Sequence, residues 1–151
     1  MRRFYILATI VFAFVHCSNS QNTAINGKPL TDSYAKIEMH LSAYGVESDD
    51  FPSIDISIDF INNSSICRKW FYNPAFKDST YSFSKNVTDS ILQILKRIDW
   101  GKIKKEYTTQ ASDQPTSTIT IFTEDHKFVI KDYGLKGDEP LQELYRIGYK
   151  F

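Results

Sequence analysis

Hydrophobic and polar residues alternate along several stretches of this chain, and the period of the alternation changes partway through. From Ala35 to Leu41, Ile37, Met39 and Leu41 alternate with Lys36, Glu38 and His40. A period of two predicts a strand with one buried and one exposed face. Ile54, Ile56, Ile58 and Phe60 alternate with Asp55, Ser57 and Asp59, the clearest strand in the chain. The turn Asn62-Asn63-Ser64-Ser65 leads into a third strand over Ile66 to Tyr72, and a short fourth strand is expected over Thr80 to Phe83. The period then lengthens. Val87, Ile91, Leu92, Leu95 and Ile98 line one helical face, with Ser84 as N-cap. Asp99 to Tyr107 suggests a second, shorter helix weakened by Gly101. Ser117 to Thr123 and Lys127 to Tyr133 predict a β-hairpin turning at Thr123-Glu-Asp-His126. A final helix carries Pro140 in its first turn and buries Leu141, Leu144 and Tyr145. Grouped strands with segregated helices predict an α+β domain. Its sheet is mostly antiparallel, with about five or six strands and two or three helices on one face.

The N-terminus follows neither period. Arg2 and Arg3 precede a continuous apolar run from Phe4 to Val15, interrupted only by Thr9. As a helix the run would span roughly 18 Å, well short of a hydrocarbon core of about 30 Å. This is the pattern of an export signal over residues 1–20, followed by a flexible linker over 21–34 and one domain over 35–151. Cys17 directly follows the run and resembles the cysteine that becomes the lipidated first residue of a bacterial lipoprotein. His16 departs from the small residue usual before it. The competing cut falls after Ser20 and leaves Gln21 first. The first cut predicts a membrane-anchored protein of the periplasm or outer membrane, the second a secreted one.

Composition narrows the partners. The aromatic fraction is 15%, with 11 Phe and 9 Tyr against 2 Met, which suits a packed, strand-rich body. Without Arg2 and Arg3, 16 basic residues face 18 acidic ones, a net charge of −2. Nucleic-acid binders carry a positive excess, so no nucleic-acid partner is expected. Either cut leaves Cys67 without a disulfide partner, and it reads as a small buried apolar residue.

No nucleophile elbow, P-loop, dinucleotide glycine fingerprint, paired Cys-x-x-Cys or zinc-protease motif appears, and no cofactor or metal is expected. Asp55 and Asp59 share the outward face of the second strand. Four residues of strand separate them by about 13 Å, beyond the roughly 5 to 9.5 Å of a glycosidase pair. Glu47, Asp49 and Asp50 cluster in one turn without the ligand spacing of a calcium loop. His40 lies on a strand face and His126 in a hairpin turn, and two histidines with no evident proximity are a weak metal signal. Trp70, Phe71 and Tyr72 begin the densest aromatic stretch. Successive strand residues point to opposite faces, so these three cannot all enter one core. An exposed aromatic shelf would suit a sugar ring or a peptide.

Several short pieces, taken in order, resemble a family of small exported and lipid-anchored proteins of Bacteroidota, catalogued as a domain of unknown function. The pieces are Tyr44-Gly45, Pro52 leading into Ile54-Asp-Ile-Ser-Ile58, Tyr107, Asp113-Gln-Pro115, Asp132-Tyr133-Gly134 and Pro140-Leu-Gln-Glu-Leu144, within a span from Ile37 to Ile147. Members often carry a cysteine pair in the turn before the second strand. Val46 to Phe51 contains none, so a function of that pair would be lost here. The resemblance implies an exported α+β domain and no particular activity.

The expectation is therefore a lipid-tethered, non-enzymatic domain that binds an envelope protein or glycan through Trp70, Phe71 and Tyr72. The alternative is an exported hydrolase with a site near Asp113, Asp132 and Tyr133. If Cys17 is the lipid anchor, Cys17→Ala moves the protein from the membrane to the soluble fraction. Intact mass of both fractions checks this, and a native protein beginning at an unmodified Gln21 would overturn it.

Overall fold

Isoleucine on one side of each central strand, and charge or hydroxyl on the other, produces a sheet with two unlike faces. The computed structural model describes residues 33–46 and 48–150. The export signal with Cys17, nearly all of the linker, and Glu47 lie outside them. Seven strands and two helices follow in the order β1 (Tyr34–Ser42), β2 (Ser53–Asp59), β3 (Ser64–Trp70), β4 (Ser79–Tyr81), α1 (Lys85–Arg97), β5 (Glu106–Tyr107), β6 (Thr116–Thr123), β7 (Lys127–Tyr133) and α2 (Glu139–Gly148). The fold is α+β, as the periodicity predicts, with a strand count slightly above expectation.

The strands form one sheet in the order β4-β3-β2-β1-β6-β7-β5. Every pairing is antiparallel except β5 with β7. Helix α1 carries the chain from one edge of this sheet to the other. The inner face is apolar: Ile37, Met39 and Leu41 of β1, Ile54, Ile56 and Ile58 of β2, and Ile119 and Ile121 of β6 are all buried. Cys67 is buried on the same face and forms no disulfide among the described residues. Ile91, Ile94 and Leu95 of α1 and Leu141, Leu144 and Tyr145 of α2 close the core. Fully burying each such aliphatic side chain contributes roughly 1.5 to 3 kcal/mol. Gly148 lets α2 press against the sheet, since a Cβ there would sit 3.1 Å from the Met39 methyl and 3.2 Å from Ile56 Cδ1.

Helix α1 starts where Ser84 predicts. The Ser84 side chain makes no cap bond, and its backbone carbonyl accepts the Val87 and Thr88 amides instead. Three expectations are corrected. The third strand stops at Trp70, because the Phe71 amide turns to the Asp78 carboxylate (3.1 Å) and Asn73-Pro74 bends the chain away. Phe71 and Tyr72 are therefore not strand residues, and the short fourth strand lies slightly earlier, at β4. The expected helix over Asp99 to Tyr107 does not form. The Asp99 carboxylate takes the Gly101 amide (3.1 Å) and pairs with Lys102 (2.9 Å), which closes a turn, and the chain then pairs with β7 as β5. A short aspartate that bonds its neighbouring backbone competes with helix in this way.

The two faces respond differently to substitution. Ile56→Asp places an unpaired charge in the core and is expected to destabilise by several kcal/mol. Asp55→Ala, on the exposed face, is expected to change stability by less than about 1 kcal/mol. Urea unfolding of both variants measures the difference, and equal effects would contradict the facing described.

Candidate functional site

Outward-facing residues of four strands meet on the uncovered face of the sheet. The register sets Arg68 of β3 opposite Asp55 of β2, Asp55 opposite His40 of β1, and His40 opposite Thr118 of β6. One cross-strand row thus carries a guanidinium, a carboxylate, an imidazole and a hydroxyl. A second row beside it holds Ile66, Ser57, Glu38 and Thr120. Together they line an open depression of about 380 Å3. Within it His40 Nδ1 lies 2.5 Å from Asp55 Oδ1. The Trp70 ring stands at the rim, its centroid 6.3 Å from the His40 ring. Arg68 is exposed and has no ion-pair partner among the described residues. The surface therefore offers one cation without an ion-pair partner among the described residues, hydroxyls that can donate or accept, carboxylates that accept, and a half-buried indole.

The three aromatics expected to form a shelf are divided. Trp70 ends β3 on the open face. Phe71 stacks on Phe76 at 5.1 Å, with the Lys69 ammonium 5.2 Å from its ring. Tyr72 is 93% exposed, in the connection after the strand. Of the three, only Trp70 stands beside the depression, through its ring contact with His40. Strand alternation places His40, Asp55 and Arg68 on the outward face, but sequence reasoning could not select them as neighbours, because their pairing depends on register between strands. Asp59 does not work with Asp55. It caps the β2–β3 turn, accepting the Ile61 and Asn62 amides at 3.0 and 2.9 Å, and the Asn62 hydrogen bonds hold its carboxyl below the usual range.

Asp113, Asp132 and Tyr133 are not brought to one point. Asp113 sits in an exposed loop with φ +57°. Asp132 and Tyr133 are successive strand residues and face opposite sides of the sheet. Asp132 is wholly buried on the inner face. Its carboxylate accepts the amides of Lys136 (2.7 Å) and Gly137 (2.6 Å) and the Tyr145 hydroxyl (2.8 Å). Nearby, the Ser117 and Tyr149 hydroxyls share a hydrogen bond of 2.7 Å, and the Tyr145 and Tyr149 rings stack at 5.8 Å. Burial, and for Tyr145 its bond to Asp132, keeps both phenols protonated well above the usual tyrosine range. These groups are spent on one another and hold the loop between β7 and α2. Among the described residues, no three His, Cys, Asp or Glu side chains gather as a metal site.

Asp132→Ala leaves the buried Gly137 amide, the part-buried Lys136 amide and the buried Tyr145 hydroxyl without an acceptor. We expect a loss of roughly 3 kcal/mol or more in chemical denaturation. A loss below about 1 kcal/mol would show that the clamp is dispensable.

No curated protein and no solved structure matches the chain. A family match covers residues 71–147, from the end of β3 through nearly all of α2, and thus half of the sequence. By this match the chain belongs to the family described as domain of unknown function DUF6438.

Proposed function

We propose that this protein is an exported, lipid-anchored binding domain that takes a glycan of the cell envelope on the uncovered face of its sheet. The observation that carries the reading is the Arg68–Asp55–His40–Thr118 row beside Trp70. Sugars are recognised by an aromatic ring against the apolar face of the pyranose and by planar polar groups that bond pairs of hydroxyls. Trp70 supplies the first, and Asp55 and Arg68 the second. The depression is shallow and open, which suits a chain of sugar units better than a small molecule that must be enclosed. The export signal and Cys17 would place such a face at the membrane surface. A carboxylate bonded to an imidazole is also a general-base arrangement. The hydroxyl opposite His40 is that of Thr118, and no hydrogen bond joins it to the imidazole as an activated nucleophile would require, so binding without turnover is the favoured reading.

The test is retention on isolated cell-wall glycan. Native protein is expected to be retained. Trp70→Ser and Arg68→Ala are each expected to lose most of that retention while their melting temperatures stay within a few degrees of native. Native protein that flows through, or variants that bind equally well, would refute the reading. Release of soluble sugar during incubation would replace it with a hydrolase.

A further inference from the structure

The β7 edge of the sheet carries a second surface, independent of the glycan face. Strand β5 covers this edge only at Lys131 and Asp132, leaving Lys127 to Ile130 without a strand partner on that side among the described residues. The hairpin fixes which backbone groups point there. The Thr123 amide bonds the His126 carbonyl, so by the alternation of an antiparallel ladder Phe128 and Ile130 bond to β6. Lys127 and Val129 then direct their N–H and C=O groups outward. The Lys131 amide, next in this alternation, does bond outward, to the Lys105 carbonyl at 2.9 Å.

Beside the open edge lies a cleft of about 410 Å3 between β7 and the turn that follows α1. Its floor is apolar: Trp100, Ile103, Phe128 and Ile130. The Trp100 indole is held in place by a 2.9 Å bond to the Tyr34 hydroxyl and packs on Phe128 at 5.4 Å. Its rim is cationic. Lys104, Lys105 and Lys127 line it, no acidic residue does, and none of the three forms an ion pair among the described residues. In a chain with no net positive charge this local excess is set by the fold.

We infer that this edge binds an extended acidic segment of a protein partner by strand addition. The segment pairs its backbone with Lys127 and Val129. It places an apolar side chain over Trp100 and Phe128, and its carboxylates meet Lys104, Lys105 and Lys127. Main-chain bonds give affinity in this mode, and the cleft and its charge select the sequence.

The probe is a short acetylated and amidated peptide alternating Glu with Val, added to the mature protein, with a Lys-for-Glu peptide as control. Amide hydrogen exchange at Lys127 and Val129 is expected to slow by about tenfold or more with the acidic peptide only. Lys104→Glu combined with Lys105→Glu is expected to weaken binding by about tenfold or more, and rising salt to weaken it in the native protein. Val129→Pro removes one outward N–H while sparing the β6 ladder, as edge strands tolerate, and is expected to abolish the protection. Equal binding of the basic peptide would overturn the proposal. So would protection confined to the sheet face around His40, or no protection at either edge amide. Slowing of the same amides on raising protein concentration without peptide would make the occupant a second copy of this chain and likewise overturn it.

Discussion

The buried carboxylate of Asp132 is the interaction on which the arrangement of layers depends. It sits at the end of β7, holds the amides of Lys136 and Gly137, and takes the Tyr145 hydroxyl from the second turn of α2. A wholly buried carboxyl group is costly unless its oxygens are hydrogen-bonded, and these three donors reach both of them. The bonds fix the loop that sends α2 back across the sheet. Two glycines make the loop possible. Gly134 adopts φ +87° with a Thr109 methyl 2.5 Å from where a Cβ would stand, and a Cβ on Gly137 would meet Leu141. With α2 set in this way, Leu141 and Leu144 complete the core and Gly148 presses onto β1 and β2. No described helix covers the opposite face.

That asymmetry divides the labour of the molecule. The inner face spends its polar groups on one another: Asp132 with Tyr145, Ser117 with Tyr149, and Tyr107 with Asp138 at 2.6 Å. Such groups stabilise the packing of α2 and its preceding loop. The outer face leaves Arg68 without an ion-pair partner among the described residues and sets it in line with Asp55, His40 and Thr118. The β7 edge keeps backbone groups and three lysines available beside an aromatic floor. Both proposed surfaces lie where the structure leaves bonding capacity unused, one read by side chains and one by backbone. They are far apart in kind: the first depends on register across four strands, the second on the shortness of β5.

The family match begins at Phe71 and ends at Ile147, so it includes β4, α1, β5, the β6–β7 hairpin and nearly all of α2. The Asp132 clamp and the basic cleft lie inside it. The outward polar row is split, since Thr118 and Thr120 fall within the match while His40, Asp55, Arg68 and Trp70 fall before it. The framework and the β7 edge therefore belong to the matched segment, whereas most of the polar row is supplied by the strands that precede it.

Period alone decided much about this chain. Alternation in β1, β2, β6 and β7 marks each strand and its buried side, because one face of a sheet needs apolar residues at every second position. The 3.6-residue spacing marks α1 and α2 for the corresponding reason. It also led to an expected helix over Asp99 to Tyr107, where a local aspartate turn and pairing with β7 prevailed over a weak helical pattern. The aromatic run Trp70-Phe71-Tyr72 was legible as a set that could not share one core. That only Trp70 stays on the sheet was not, because the strand is ended by Asp78, seven residues beyond Phe71. The sequence could place His40, Asp55 and Arg68 on outward positions. Only the pairing of strands distant in sequence put them side by side, and only the path of α1 brought Lys104 and Lys105 to Lys127. Local chemistry determines which side of an element is buried. Which buried and exposed groups become neighbours is decided by register and chain path, and those are fixed by the packing of the whole molecule.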